Sequence, residues 1–135
     1  IIASSNSKFG LPEINLGLIP GMGGTQKSKK FTSFQNIKYL AMTGDIIDAE
    51  TAMKFGIVSK IVPKENFGNF IINFLDKISS KPKKSLQIIK ELVNSDENLK
   101  KSLKKERNIF YKLLDSENKK IGIRSFLNKT KPNWK

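Results

Sequence analysis

The sequence predicts an α/β chain in two parts: a first part of loops and short strands, residues 1–62, and a mainly α-helical second part, residues 63–135. Two observations support this prediction. Up to Pro63, short apolar runs are separated by Gly and Pro, the residues that most often mark turns. After Pro63, apolar residues recur at the three- and four-residue spacing that places them on one face of a helix.

In the first part, strands and short helices should alternate. The expected elements are a strand at 1–3, a polar turn at 4–8, an extended piece at 9–11, helices at 25–31, 34–42 and 49–55, and a strand at 57–62. Ser33 and Asp48 directly precede the second and third helices, where their side-chain oxygens can accept hydrogen bonds from first-turn N–H groups. Gly44 and Gly56 follow the same helices, where glycine can adopt the left-handed conformation that ends them.

Four helices are expected in the second part. Their apolar stripes are Phe67, Phe70, Ile71, Phe74, Leu75 and Ile78; then Leu86, Ile89 and Val93, predicted to face inward; then Leu99, Leu103, Phe110 and Leu113 or Leu114; and finally Ile121, Ile123, Phe126 and Leu127. Pro82 suits the first turn of the second of these helices, because its missing N–H needs no partner there. Asp96 and Ser116 can cap the third and fourth helices. Such stripes usually form a core or a subunit interface.

The chain is strongly basic, with 25 Lys and Arg against 12 Asp and Glu and a net charge of +13. Residues 100–135 alone hold 12 basic and three acidic side chains. A basic tail invites a nucleic-acid interpretation, but the chain contains no recognisable nucleic-acid module, and we expect no nucleic-acid partner. Attraction of an acidic small ligand or an acidic protein surface is the better electrostatic account.

Several classes of chemistry are excluded within this chain by its composition. It contains no Cys and no His, so it has no disulfide, no thiolate metal site, no Ser-His-Asp triad and no HExxH zinc motif. We therefore expect no metal. No apolar run approaches the length of a membrane span, and no signal-peptide pattern opens the chain, so we expect a cytoplasmic protein without a membrane partner.

One stretch of the first part carries the candidate chemistry. Residues 9–26 read FGLPEINLGLIPGMGGTQ and place a single carboxylate, Glu13, eight positions before a glycine-rich run that begins at Gly21. Turn formation alone would explain the glycines and prolines. Alternatively, a helix begins at about 21–25, its free N–H groups face a ligand or a water, and Glu13 lies nearby as an acid or base.

The same stretch resembles the signature of the crotonase family, the enoyl-CoA hydratases and isomerases. Residues 40–50 and 52–63 resemble the family's next sequence block, and residues 121–134 resemble its C-terminal end, so the resemblance covers the whole chain. It implies the C-terminal portion of the crotonase spiral fold, which is also the ClpP-like fold. Family members are longer, and the chain opens on residues that resemble the middle of a family strand. We therefore expect it to be the C-terminal part of a crotonase.

The resemblance also implies roles for single residues. Glu13 matches the family glutamate that exchanges the proton at the carbon alpha to the thioester, and Gly21 matches the glycine whose N–H helps hold the catalytic water. A second catalytic glutamate and the oxyanion hole belong to the family's N-terminal half, and no motif here matches them. We therefore expect hydration of a short-chain 2-enoyl-CoA such as crotonyl-CoA by the parent protein and no activity from this chain alone.

At the other end of the chain, Phe126 and Lys129 match family positions that contact the adenine and phosphate end of coenzyme A, commonly from a neighbouring subunit. A buried Phe126 and a solvated Lys129 without a ligand are the competing interpretation. Coenzyme A would enter as part of the substrate, so no separate cofactor is expected. The family forms trimers, usually paired into hexamers, and we expect a homo-oligomer.

Two alternatives to a hydratase remain open at this point. An isomerase of the same family can work with the Glu13 carboxylate alone, because it only moves a proton between two carbons. A non-catalytic oligomerisation module, made of the helices of the second part, belongs to a different class of function and would bind no acyl-CoA.

Overall fold

The computed structural model describes residues 1–135 and contains two small sheets and seven α-helices. The strands are β1 (Ile2–Ser4), β2 (Lys8–Gly10), β3 (Ile46–Asp48) and β4 (Lys60–Val62). The α-helices are α1 (Gly24–Lys27), α2 (Phe34–Thr43), α3 (Ala49–Lys54), α4 (Phe67–Ser79), α5 (Lys83–Val93), α6 (Leu99–Leu114) and α7 (Glu117–Leu127). Short 3₁₀ helices cover Pro12–Leu16, Ser28–Lys30 and Lys64–Asn66. The chain forms two compact units, Ile1–Ile72 and Asn73–Lys135, which divide within α4.

The first unit contains both sheets. β1 pairs in parallel with β4, with Ala3 opposite Ile61, and β2 pairs antiparallel with β3, with Phe9 opposite Ile47. A Cβ at Gly10 would lie 2.8 Å from the carbonyl oxygen of Asp45, so only glycine permits this pairing at its end. The pairing brings the chain before Glu13 alongside the chain that follows α2.

A small aliphatic core holds the first unit together. Its buried members come from β1, α2, β3, α3 and the segment before β4; they are Ala3, Leu40, Ile47, Ala49, Ala52 and Val58. Ala49 and Ala52 are fully buried on one face of α3, where their small side chains let the helix lie close to the sheets. Because β3 runs directly into α3, this core fixes the end of α2 relative to β2.

The structure confirms most of the predicted helix ends. The side chains of Ser33, Asp48 and Ser116 each accept a hydrogen bond from a first-turn N–H, at 3.2, 2.8 and 3.2 Å. Gly44 and Gly56 adopt positive φ angles of 71° and 80° after α2 and α3, as the helix-ending interpretation requires.

Asp96 as the cap of α6 is wrong. Asn98 is the cap: it directly precedes Leu99 in an extended conformation, and its side-chain oxygen accepts the N–H of Lys101 at 3.1 Å. Pro82 also stands one position earlier than predicted, at the cap of α5 and outside its first turn.

Four segments of the first unit differ from the prediction. The helix expected at 25–31 is a single α-turn, α1, followed by the 3₁₀ turn Ser28–Lys30. The strand expected at 57–62 is only β4, because the N–H groups of Ile57 and Val58 both donate to the carbonyl of Ala52 and close α3. The strand β3 and the 3₁₀ turn Pro12–Leu16 were not predicted.

The second unit exposes much of its apolar surface. In α5, Leu86, Ile88 and Leu92 are half-buried while Ile89 and Val93 are exposed, so the predicted inward face is wrong for two of its three members. Further apolar side chains are exposed on α6 and α7; they are Leu99, Leu103, Phe110, Leu114, Ile123, Phe126 and Leu127. None of the seven helices combines the length and apolar character needed to cross a bilayer.

Asp48 gives the first unit a cap that responds to pH. The backbone N–H of Thr51 donates to its carboxylate and holds the pKa of Asp48 below its ordinary value. The stabilisation by the cap is therefore complete above the ordinary Asp pKa and is lost as the pH falls through the lowered pKa. We expect Asp48→Ala to lower the free energy of unfolding at neutral pH, by an amount that shrinks on acidification.

Asp48→Asn is the matched control, because Asn is also a good N-cap but does not titrate. Urea denaturation of the three proteins, followed by circular dichroism between neutral pH and roughly pH 3, measures the differences. An Asp48→Ala effect that is equally large at both ends of this range would contradict the assignment.

Candidate active-site turn and the turn after α7

Glu13 lies on a closed 3₁₀ turn, Pro12–Leu16, which we call the Glu13 turn. Pro12 fixes the first backbone angle of the turn, and Gly17, with φ 70°, ends it. The N–H of Gly17 donates to the carbonyl of Ile14 at 3.0 Å, and the N–H of Leu18 donates to the carbonyl of Glu13 at 3.1 Å. The backbone that carries the carboxylate is therefore held at both ends.

The carboxylate of Glu13 has an unpaired oxygen. Its side-chain atom Oε2 is shielded from solvent and accepts no hydrogen bond from the chain. Burying a polar group without a partner is costly, and native proteins keep few such groups. A role toward a ligand is one explanation for such an oxygen.

The end of α2 supports the Glu13 turn directly. A Cβ at Gly44 would lie 2.7 Å from Asn15 Nδ2 and 3.0 Å from Ile14 Cγ2, so the turn lies closer to α2 than any side chain would allow. Beyond Gly44, the hydroxyl of Tyr39 donates to Asp45 at 2.7 Å, and this hydrogen bond raises the pKa of Tyr39. The sequence pattern marked Gly44 as a helix end but did not show this contact.

The glycine-rich run closes the other side of the segment. A Cβ at Gly24 would lie 2.8 Å from Leu11 Cδ2 and 2.9 Å from the Cβ of Pro20. Leu11 directly precedes the Glu13 turn, and buried Pro20 directly precedes Gly21, so Gly24 draws the two ends of this loop together.

Gly21 itself lies outside a helix. It is exposed in the turn before α1, and no atom lies within 4 Å of where its Cβ would be. α1 begins only at Gly24, after Gly23 with φ 91°. The helix start expected at 21–25 is therefore confirmed at the later residues, and Gly21 presents its N–H from a turn.

Apolar side chains around this loop are open to solvent. Leu16, Leu18, Ile19 and Met22 are all exposed, and Met22 reaches 93%. A cavity of about 460 Å³ lies between α1 and α2 and includes neither Glu13 nor Gly21 among its lining residues. No carboxylate lines this cavity, so the Glu13 carboxylate is the better candidate for chemistry.

Phe126 and Lys129 occur in one turn at the end of α7. The N–H of Lys129 donates to the carbonyl of Phe126 at 3.2 Å, and the N–H of Thr130 donates to that of Ser125 at 2.9 Å. This is a Schellman turn, in which the position after the cap is left-handed and usually glycine. Lys129 occupies it with φ 53°. Phe126 is 83% exposed, so the interpretation that it is buried is wrong.

No group of three or more Asp, Glu, His or Cys side chains in the chain could hold a metal ion. The structure thus offers two features that could act on a ligand. One is the supported Glu13 turn in the first unit, and the other is the exposed aromatic and cationic pair at the end of α7 in the second.

Comparison with known proteins identifies the family. A sequence model of the family described as enoyl-CoA hydratase/isomerase matches residues 1–135. The chain belongs to the crotonase family. It is 35% identical to the mitochondrial enoyl-CoA hydratase of Pongo abelii over 100% of this chain and 47% of that protein. It is 32% identical to the crotonyl-CoA hydratase of Syntrophomonas wolfei over 98% of this chain and 52% of that protein.

The crotonase fold also matches in three dimensions. The crystal structure of the enoyl-CoA hydratase from Bacillus anthracis superposes with a TM-score of 0.94 at 28% identity, covering 99% of this chain and 53% of the other. The predicted α/β crotonase fold, C-terminal portion, is therefore confirmed. This crotonase chain spans about half the length of the relatives it matches.

The contact between Gly44 and the Glu13 turn can be tested against a matched glycine. Gly44→Ala should lower the free energy of unfolding for two reasons: the left-handed backbone, which costs about 1–2 kcal/mol for a non-glycine residue, and the collision with Ile14 and Asn15. Gly17→Ala is the control, because Gly17 has nearly the same φ but no atom within 4 Å of its Cβ position.

Urea denaturation measures both variants. We expect the larger loss for Gly44→Ala, and its two-dimensional NMR spectrum should show shifted amide signals for residues 13–16. Equal losses, with those signals unmoved, would mean that the turn does not depend on Gly44.

Proposed function

We propose that this chain supplies the Glu13 part of an active site that adds water reversibly to a short-chain 2-enoyl-CoA. The product would be the 3-hydroxyacyl-CoA, and crotonyl-CoA is the proposed substrate. The observation that supports this most directly is the unpaired Oε2 atom of Glu13, held on a braced turn. Membership of the crotonase family, which is described as enoyl-CoA hydratase/isomerase, supports this reaction class.

Hydration needs three contributions. N–H donors polarise the thioester carbonyl. A base takes a proton from water while the water oxygen bonds to the beta carbon, and an acid protonates the alpha carbon. Glu13 would be the acid, and in the reverse direction its carboxylate would take the alpha proton back. The N–H of Gly21 would hold the attacking water, and its exposure in an open turn suits that contact.

The remaining contributions would come from protein outside this chain. We propose that the base that activates water and the donors of the oxyanion hole lie in the half of the crotonase domain that this chain does not contain, and that this chain alone is inactive. Two carboxylates can divide the work when one is ionised and the other protonated.

The coenzyme A part of the substrate would bind at the second unit. Phe126 offers an exposed ring on which adenine can stack, and Lys129, three residues later, offers an ammonium group for a phosphate. Residues 100–135 contain 12 basic and three acidic side chains, and this positive charge favours an anionic ligand. The Syntrophomonas wolfei relative is named a crotonyl-CoA hydratase, which supports a short acyl chain and a place in fatty acid or butyrate metabolism.

We also propose a homo-oligomer, a trimer or hexamer, in the cytoplasm. The exposed apolar residues of α5, α6 and α7 favour burial against another subunit. The same observation favours the second candidate function, an oligomerisation module without catalysis. An isomerase of the same family is the alternative within catalysis, since Glu13 alone could move a proton between two carbons.

The test restores a complete domain. The chain is fused behind the part of the Syntrophomonas wolfei hydratase that precedes the matched region, and hydration of crotonyl-CoA is followed by the loss of enoyl-thioester absorbance. We expect activity from the fusion and none from the chain alone. Glu13→Gln should lower kcat by about 10²-fold or more, because an amide cannot transfer the proton.

Glu91→Gln is the matched control, since Glu91 is an exposed carboxylate on α5. If a folded fusion hydrates crotonyl-CoA and Glu13→Gln leaves the rate near normal, the role of Glu13 is wrong. Conversion of a 3-enoyl-CoA to the 2-enoyl isomer without hydration would favour the isomerase. A trimer of the chain by light scattering, together with a folded fusion that binds no acyl-CoA, would favour the module.

We expect Lys129 to lower the stability of the fold and to raise the affinity for coenzyme A. Lys129→Gly removes a side chain from a left-handed position and should raise the free energy of unfolding by about 1 kcal/mol. The same change should weaken binding of coenzyme A to the fusion, measured by calorimetry, while binding of pantetheine, which lacks the nucleotide, stays unchanged. Lys131→Gln is the control, because it removes a nearby charge without touching the turn; equal effects of the two would argue against a specific contact.

A further inference from the structure

We propose that Trp134 is a positioning residue for the Schellman turn of residues 125–130, which we call the Lys129 turn. By fixing this turn, Trp134 places Lys129 for the nucleotide end of the substrate. It does so through a set of contacts that we call the clasp, formed by Ser80, Asn118, Gly122, Trp134 and Lys135. The inference rests on the proposed function, because it concerns how the proposed coenzyme A contact at Lys129 is held in place.

The Lys129 turn needs external support. Lys129 is the only non-glycine residue of the chain with positive φ. A left-handed conformation at such a residue is unfavourable and persists where the surrounding structure enforces it. The two hydrogen bonds of the Schellman turn act from the α7 side only. Support from the other side must come from the residues that follow Lys129.

Trp134 supplies that support by two kinds of contact. Its indole Nε1–H donates to the carbonyl of Ser80, just beyond the end of α4, at 2.7 Å. Its ring lies so close to α7 that a Cβ at Gly122 would be only 3.2 Å from Cη2 and 3.3 Å from Cζ3. Gly122 is thus the residue that lets the ring approach the helix backbone.

A second pair of hydrogen bonds secures the same segment. Asn118 Nδ2 donates to the carbonyl of Lys135, and the N–H of Lys135 donates to Asn118 Oδ1, both at 2.9 Å. The side-chain amide of Asn118 therefore pairs with the backbone of Lys135 as a strand would. Asn118 lies in the first turn of α7, and the Lys129 turn lies beyond its last.

Because of the clasp contacts, the segment after Lys129 passes back along α7 toward the start of the helix. The helix carries Lys129 at its C-terminal end, and the segment after Lys129 is attached at Gly122 and at Asn118, progressively nearer the helix start. Four residues separate Lys129 from Trp134, which leaves little slack in the return segment. With both sides anchored, the backbone at Lys129 holds one conformation, and this fixes the direction in which the Lys129 side chain leaves the backbone.

The decisive measurement separates the nucleotide end of the substrate from its reacting end. In the fusion described above, KM and kcat are compared for crotonyl-CoA and for crotonyl-pantetheine. We expect Trp134→Ala to raise KM for crotonyl-CoA about tenfold. Without Trp134 the left-handed turn is released, and Lys129 must then lose conformational entropy when it binds the substrate. We expect kcat, and both constants for crotonyl-pantetheine, to stay unchanged.

Milder variants keep the test valid if Trp134→Ala does not fold. Trp134→Phe removes the donor to Ser80 and keeps a ring, and Gly122→Ala keeps Trp134 but places a methyl group against it. Both should raise the same KM by a smaller factor. Hydrogen exchange at the amide of Thr130, which donates to Ser125, should speed up in each variant.

Lys129→Gln distinguishes failure of this inference from failure of the proposed function. If Lys129→Gln leaves KM for crotonyl-CoA unchanged, the proposed contact of Lys129 is wrong. If Lys129→Gln raises KM but the clasp variants do not, or raise KM equally for both substrates, the positioning role is overturned. In a Lys129→Gln background, the clasp variants should cause no further rise.

Discussion

The close approach of neighbouring segments to the backbone of Gly24 and Gly44 is the constraint on which the loop from Leu11 to Pro20 depends. This loop, which we call the Glu13 loop, carries the Glu13 turn. A Cβ at either position would lie under 3 Å from atoms of the neighbouring segment. Interiors packed at this density cannot absorb an added methyl group without a shift. The two glycines therefore set where the Glu13 turn lies: Gly44 against α2, and Gly24 across the two ends of the loop. The small aliphatic core beneath α2 and α3 keeps that frame rigid.

Each of the two candidate sites contains an energetically unfavourable feature, and the two features differ in kind. At Glu13, the chain accepts a buried oxygen without a partner. At Lys129, it accepts a left-handed backbone where glycine would be more stable. Proteins retain such unfavourable features where a ligand uses them, and each is compensated by neighbouring structure. The Gly44 contact does this for the first site, and the hydrogen bonds of Trp134 and Asn118 do it for the second.

Exposed apolar surface links these sites to the size of the chain. Leu16, Ile19 and Met22 surround the Glu13 loop with solvent-exposed apolar surface, and the helices of the second unit expose more. The chain spans about half the length of its relatives. Burial of these side chains is favourable in proportion to the area removed from water. A complementary protein surface would therefore stabilise the loop by covering these side chains.

The sequence by itself determined the family and the helix caps at Ser33, Asp48 and Ser116, because fixed motif positions and local hydrogen bonding follow directly from residue order. The roles of Glu13 and Lys129 stay predictions from the same motifs. It misjudged the cap of α6, the inward face of α5 and the length of β4, where several polar or apolar residues compete within a few positions. Tertiary structure alone decided what Gly24, Gly44, Gly122 and Trp134 do. Gly24 contacts Leu11, Gly44 contacts Asn15, Gly122 contacts Trp134 and Trp134 contacts Ser80, and each of these pairs is separated by 12 residues or more along the chain. No local sequence pattern records a close approach between such distant segments.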